Sequence, residues 1–290
     1  MTRSPGESVD GVLVIDKPAG ITSHDVVDRV RRVLKTRKVG HAGTLDPGAT
    51  GVLVIGVGCA TRFLDYSQAV PKSYRATAVW GSSTTTQDSS GEVVASSSDR
   101  PSEDEVRATC KRFTGAIEQV PPMVSAVKIG GERLYAKARR GETVERPARP
   151  VVIHELELLE HEGDGSTSEL DVTCSAGTYI RTLIHDMGAA LGCGGHMGSL
   201  RRMAAGGFSL DQAVDLDDVG AGSLHPLESI VRALDHLDVD ADAATLVMNG
   251  RPLNLEQAGE GPVAVRHDGR LLAVYRSDGS RLVPERVVSH

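Results

Sequence analysis

Two stretches of the chain are apolar at almost every position and are bounded by turn residues. Residues 11–16 stop at Lys17-Pro18-Ala19-Gly20, and residues 51–57 follow a glycine-rich loop. Apolar runs of this length predict strands buried on both faces. Between them Val26, Val27, Val30, Val33 and Leu34 recur at helical spacing, behind Thr22, Ser23 and Asp25 as N-cap candidates. Residues 74–80 alternate, as in a half-buried strand, and residues 81–100 read as a Ser/Thr/Gly-rich connection.

Further along, Ser102 and Glu105 form a capping box. It opens a helix with Val106, Cys110 and Phe113 on one face, ended at Gly115. Residues 151–159 and 169–175 predict a strand hairpin. Residues 179–191 predict an amphipathic helix with Thr178 as its N-cap and Gly192 as its stop. Residues 209–229 read as a connector. The last part gives short apolar runs at 262–265, 271–275 and 282–283 between glycine turns, the pattern of a small all-β module. No repeat of solenoid period is present.

Charge changes this picture by its distribution. The 290 residues carry a formal net charge of -7, and aromatic residues are only 3%. The total argues against a dedicated nucleic-acid binder, and the scarcity of rings argues against a multi-ring stacking sheet. Yet window 29–41 holds six basic residues (Arg29, Arg31, Arg32, Lys35, Arg37 and Lys38) and no acid. Window 128–150 holds seven basic residues against three acidic ones. A negative total is thus compatible with one strongly positive face, or with ordinary solvated helix faces. Cys59, Cys110, Cys174 and Cys193 are widely spaced, which predicts reduced thiols and no zinc or redox pair. No apolar run reaches membrane-spanning length, and residues 1–10 lack the apolar core of a secretory signal. The expected location is the cytoplasm.

Signatures of P-loop ATPases, Rossmann dehydrogenases, serine esterases and zincins are missing. The strongest chemical candidate is the loop 41–51, with Asp46 as its one acid. Its glycines permit close approach by a large ligand, and Pro47 fixes one side of the turn. An aspartate held there can be a nucleophile, a general base or simply a turn initiator. The second candidate is Gly177-Thr-Tyr-Ile-Arg181. A cation in the first helical turn opposes the helix dipole, so a buried carboxylate is the natural partner of Arg181. Tyr74 and Tyr179 each read as a core residue or as a stacking ring.

Five segments in order carry a resemblance. Gly40-His-Ala-Gly-Thr-Leu-Asp-Pro-Gly-Ala-Thr-Gly51 resembles the catalytic-aspartate motif of the TruB family, the tRNA pseudouridine-55 synthases. Residues 11–18 resemble its N-terminal strand and Lys-Pro element. Lys72-Ser-Tyr-Arg75 resembles its tyrosine motif. Pro121-Pro-Met-Val-Ser-Ala-Val-Lys128, with Gly131 and Tyr135, resembles its Pro-Pro-x-Tyr-Ser-Ala segment, with Val124 in place of the family's usual Tyr. Cys174-Ser-Ala-Gly-Thr-Tyr-Ile-Arg181, continuing to Leu200-Arg201-Arg202, resembles its arginine motif. The resemblance spans residues 9–210. The tail resembles the family's small PUA-like domain only through Met248-Asn-Gly-Arg-Pro-Leu253 and its β pattern.

The resemblance implies an α+β pseudouridine synthase fold: a central mixed, mostly antiparallel sheet flanked by helices, with the catalytic domain at 1–228 and a PUA-like β module at 229–290. It implies isomerisation of uridine-55 in the T-loop of tRNA without metal or cofactor, and a secondary tRNA-folding role for the same binding face. Asp46, Tyr74 and Arg181 are the implied catalytic residues. His41, Asp88, Tyr179, Leu200 and Lys17 are implied to bind the substrate, His41 by wedging under the flipped-out nucleotide. Lys137, Arg139, Arg140 and Arg37 are expected on tRNA phosphates along the T-loop and acceptor stem. A monomer without an obligate protein partner or membrane contact is implied as well. A glycoside hydrolase would need a second catalytic carboxylate opposite Asp46, and no motif supplies one.

Overall fold

The computed structural model describes residues 9–123, 128–129, 132–133, 144–254 and 261–288. The chain divides into two compact units, one formed by residues 1–70 with 204–290 and the other by residues 71–203.

In the first unit, β1 (Gly11–Lys17) pairs antiparallel with residues 51–57 of β3 (Thr50–Val57), and the short β2 (Val39–His41) also pairs antiparallel with β3, at residues 55–57. The apolar runs are continuous because both faces are covered. Leu13, Ile15, Leu53 and Ile55 meet Val26, Val27, Val30 and Leu34 of α1 (Ser23–Leu34). The alternate residues Val12, Val14, Val52 and Val54 point the other way, onto Phe63, Phe208, Ile230 and Val231. Each such side chain contributes roughly 1.5–3 kcal/mol of transfer free energy when fully buried. Helix α1 is capped from its own sequence: Thr22 accepts from the Asp25 amide, and the Asp25 carboxylate accepts from the Thr22 amide and hydroxyl. A short helix, α2 (Leu64–Gln68), follows β3.

The second unit is a sheet in the order β12–β4–β11–β10–β7, in which the pairs β4–β11, β11–β10 and β10–β7 are antiparallel. Its strands are β4 (Lys72–Trp80), β7 (Gly115–Gln119), β10 (Arg149–His161), β11 (Thr167–Cys174) and β12 (Gly195–Ala205). The alternation of β4 is real: Lys72, Tyr74, Ala76, Ala78 and Trp80 are buried while Arg75 is exposed. The expected connection at 81–100 contains a small hairpin, β5 (Ser82–Thr84) with β6 (Val93–Ser96). Its side chains are largely exposed, so no apolar pattern announces it. The capping box of Ser102 and Glu105 starts α3 (Glu103–Phe113). The backbone pair β8 (Lys128–Ile129) and β9 (Glu132–Arg133) is also described. Helix α4 (Ile180–Leu191) buries Ile180, Leu183, Ile184 and Met187, and Gly192 closes it in the left-handed region. Its Gly188 lies so close to the start of β12 that a Cβ would sit 2.3 Å from the Gly195 nitrogen.

The chain then returns to the first unit. Ala204 and Ala205 pair with β13 (Phe208–Ser209), and β14 (Val214–Asp215) lies parallel to β1, which makes the sheet mixed. The connector at 209–229 is thus a series of single 3₁₀ turns around one short strand. The tail forms the sheet β15 (Asp235–Asp238), β16 (Pro262–His267), β17 (Arg270–Ser277) and β18 (Leu282–Val287). It is not all-β. Helix α5 (Ala241–Met248), capped by Asp240, packs Val247 against Val265 and Tyr275. Ala264, Leu271 and Val274 join the same core cluster as Val12 and Phe63. The architecture is α+β, as expected. Among the described residues no helix is long and apolar enough to cross a membrane.

Candidate active site

Asp46 sits at the tip of a loop whose backbone is held from below. The Ala49 amide donates to the Asp46 carbonyl, so residues 46–49 form a turn with Pro47 and Gly48 at its exposed corner. Leu45 and Ala49, on either side, are buried and anchor the turn. Two polar side chains complete the hold. The Ser23 hydroxyl accepts from the Leu45 amide at 2.8 Å and donates to the Leu45 carbonyl at 3.1 Å. The Lys17 ammonium donates to the carbonyls of Pro18 (2.9 Å), Pro47 (3.2 Å) and Ala49 (2.8 Å). Lys17 is 0% exposed. A fully buried ammonium is tolerated only with such partners. Lys17, expected among the substrate-binding residues, therefore directs its charge to the loop backbone. The Asp46 side chain itself is half-buried, and His41 ends β2 opposite Ile55.

In the second unit, the loop 84–91 and the first turn of α4 gather Asp88, Arg181 and Tyr179. The Asp88 carboxylate accepts from the Thr86 hydroxyl (2.6 Å), the Ser90 hydroxyl (2.5 Å) and the Ser90 amide (3.0 Å). Arg181, 4% exposed, donates to the same carboxylate at 3.5 Å and to the Thr86 carbonyl at 3.3 Å. Partial burial works against the charged form of Asp88. The hydrogen bonds from Ser90 and Thr86, and then the Arg181 charge, outweigh it and lower its pKa. The carboxylate partner foreseen for Arg181 thus exists within its own unit.

Tyr74 is buried on β4 opposite Val172, and Leu200 is buried on β12. Two residues before Tyr74, Lys72 is also buried. Burial, together with the nearby Arg202 charge, pulls its ammonium down to about 8. Arg202 is 1% exposed.

Thr178 does not cap α4. Its hydroxyl donates to the Ser175 carbonyl and closes the preceding turn, which leaves Tyr179 as the N-cap residue. Gln119 and Gln87, which sequence reasoning passed over, are hydrogen-bonded to this first turn. No local motif marks either of them. The Thr-Gln-Asp-Ser run at 86–89 is the only hint, since such residues favour side-chain-closed turns.

The basic windows divide. Arg29 pairs with Asp217 at 2.8 Å and Arg31 with Asp28 at 2.9 Å. Arg37 is exposed and has no side-chain partner among the described residues. Lys137, Arg139 and Arg140 lie outside the described residues. All four thiols are free, and burial pushes those of Cys110 and Cys174 up to about 11. Among the described residues no cluster of His, Cys, Asp and Glu could hold a metal ion.

Comparison with known proteins places this geometry. Residues 31–180 match the profile described as TruB family pseudouridylate synthase, N-terminal domain. Residues 181–238 match a tRNA pseudouridylate synthase B C-terminal domain, and residues 234–289 match a tRNA pseudouridine synthase II C-terminal region. The tRNA pseudouridine synthase B of Thermobifida fusca is 48% identical over 275 residues, covering 91% of this chain and 94% of that protein. The protein of that name from Mycobacterium tuberculosis is 47% identical, covering 93% of both chains. The one from Aromatoleum aromaticum is 44% identical, covering 97% of this chain and 93% of its own. Among solved structures, a chain of a Cbf5-Nop10-Gar1 complex is similar with a TM-score of 0.77 at 28% identity, covering 96% of this chain and 85% of that one.

Proposed function

The chain belongs to the TruB family of pseudouridylate synthases, enzymes that isomerise uridine to pseudouridine in RNA, and from that premise we propose that it acts on uridine-55 in the T-loop of tRNA. In this isomerisation the bond from uracil N1 to ribose C1′ breaks, the uracil turns, and C5 bonds to the same C1′. The C5 proton is lost and N1 gains one, so atoms balance without an external group. No metal or cofactor enters this scheme.

The observation that carries the reading is the support under Asp46. A half-buried carboxylate at the corner of a loop, fixed through its backbone by Lys17 and Ser23, is pre-positioned for attack or proton abstraction. Its target atom is ribose C1′, uracil C6 or a ribose proton. By the family's pattern Arg181 pairs with Asp46 in the working enzyme and keeps it ionised, and within its own unit Arg181 is bonded to Asp88. Tyr74 stacks on the target uracil and assists removal of the C5 proton. Tyr179 and Leu200 wall the base, Lys17 shapes the pocket floor, and His41 fills the stack that the flipped nucleotide leaves. Extruding that nucleotide costs about a few kcal/mol.

Arg37, Lys137, Arg139 and Arg140 contact phosphates of the T-loop and acceptor stem, so binding weakens as salt rises. Residues 229–290 act as a PUA-like module in this binding, and the working form is a cytoplasmic monomer. The same binding face gives the protein a secondary role in tRNA folding.

Tritium release from tRNA labelled with 5-tritiated uridine tests the reading. The wild type releases label, and a T-loop transcript with cytidine at position 55 gives none. Asp46→Asn is expected to bind tRNA and to lose release by on the order of 10³-fold or more. Equal release by both proteins would overturn the role of Asp46. Tight binding without release by the wild type would leave only the folding role.

A further inference from the structure

Helix α4 starts at an unfavourable residue. Its N-cap is Tyr179, which makes no side-chain capping bond, and its first turn holds no acid but the cation Arg181. Ser, Thr, Asp or Asn normally fill that position, and a cation there opposes the dipole. Something outside the helix must hold this end.

The holder comes from 60 positions away. Gln119, the last residue of β7 and 2% exposed, turns its side-chain amide onto the backbone of Tyr179. Its Oε1 accepts from the Tyr179 amide at 3.0 Å, and its Nε2 donates to the Tyr179 carbonyl at 3.3 Å. That carbonyl also accepts the Leu183 amide at 3.0 Å, inside the first helical turn. A planar amide bonded to both backbone groups of one residue fixes that residue's rotation as well as its position. On the other side of the turn the buried Thr182 hydroxyl donates to Gln87 Oε1 at 2.8 Å. Gln87 is held with φ +64, an uncommon left-handed value for a residue with a side chain.

We propose that Gln119 is a positioning residue for the isomerisation: through the backbone of Tyr179 it sets where the Tyr179 ring and the Arg181 guanidinium stand. The amide does the work that a capping side chain does elsewhere, and so frees the N-cap position for a tyrosine. This inference rests on the site reading above, in which Tyr179 and Arg181 face the target nucleotide. Gln119 itself touches backbone, so its loss displaces groups without removing any of them. A displacement near 1 Å at a reacting centre costs about 10²-fold in rate.

The test compares Gln119→Met and Gln119→Glu with the wild type. Met matches the length of Gln and keeps neither bond. Glu retains an acceptor for the Tyr179 amide and loses the donor. For each protein, single-turnover tritium release, tRNA Kd and thermal unfolding are measured. The expected result is a rate about 10- to 100-fold lower for Gln119→Met, with Kd within about three-fold of wild type. Gln119→Glu should fall between the two. If Gln119→Met does not fold, a smaller rate loss at unchanged Kd in Gln119→Glu carries the test, and a wild-type rate in that variant overturns the proposal. A wild-type rate in a folded Gln119→Met overturns the proposal. So does a loss of rate matched by an equal loss of affinity, which marks a merely structural residue. Arg181→Met is run alongside: wild-type release by that variant would sink the site reading itself, whatever Gln119 does.

Discussion

In the Asp46 loop, the groups that fix the backbone lie on the strand and helix just before it. Lys17 ends β1 and Ser23 begins α1, and they reach Ala49 and Leu45 across 32 and 22 positions. In the turn that carries Arg181, the fixing groups come from much farther along the chain. Gln119 stands 60 positions from Tyr179, and Thr86 and Asp88 stand 95 and 93 from Arg181. The two helices show the same contrast. Helix α1 caps itself through Thr22 and Asp25, while α4 has no side-chain cap of its own. A candidate catalytic group can therefore be presented by a locally assembled support or by one assembled only when distant strands close.

The largest effect that would break this comparison is expected at Lys17. Lys17→Met leaves the Pro18 and Ala49 carbonyls without their ammonium donor, at a cost of about 3 kcal/mol. Urea midpoints measure it. A near-neutral Met variant would mean that Lys17 only fills space, and the loop would then owe its shape to Ser23 and the turn.

Lys72 supplies the next test, in the other unit. Its folded pKa of about 8 lies below the 10.5 of an ordinary lysine. The folded state thus binds fewer protons than the unfolded chain between pH 8 and 10.5, and stability rises with pH across that window. The gain is about 3 kcal/mol at most. Lys72→Met should remove it, so the wild-type urea midpoint should rise relative to that of the variant as pH goes from 8 to 10.5. A difference constant with pH would show that the ammonium is not held in a desolvated state.

The smallest effects test the caps directly. Thr22→Ala removes the hydroxyl's bonds in the α1 capping box, leaves the amide bond to Asp25, and should cost about 1 kcal/mol. Thr178→Ala, one residue before the α4 N-cap, should cost at most about 0.5 kcal/mol, since Thr178 only closes a turn. Thermal unfolding of both variants gives the comparison. Equal costs would remove the distinction between a self-capped helix and one held from outside.

What could be read in advance follows the same line. The burial of β1 and β3, the alternation of β4, an N-cap for α1 among Thr22, Ser23 and Asp25, and the box at Ser102 were legible because each is written within about ten residues. So was the turn that bears Asp46, since Asp-Pro-Gly is a local signal. The hairpin at 82–96 was not, because its side chains are mostly exposed and leave no apolar pattern. Strand β12 follows Gly192 and Gly194 and mixes buried with half-buried positions, so it too lacked a clear period. Helix α5 fell in a tail whose other elements all read as strands.

The sequence by itself determined the strongly patterned elements, the turn that bears Asp46 and, through five ordered motifs, the family. Periodicity, capping and turn chemistry act between neighbours, and neighbours are what a sequence displays. Only the tertiary structure decided that Lys17 points at carbonyls, that Asp88 is the carboxylate given to Arg181 within its unit, and that Gln119 holds Tyr179. Apart from the Lys17 bond to Pro18, those bonds join residues 30 to 93 positions apart. Where the partner is a backbone group, which every residue carries alike, no residue type in the sequence could have marked it.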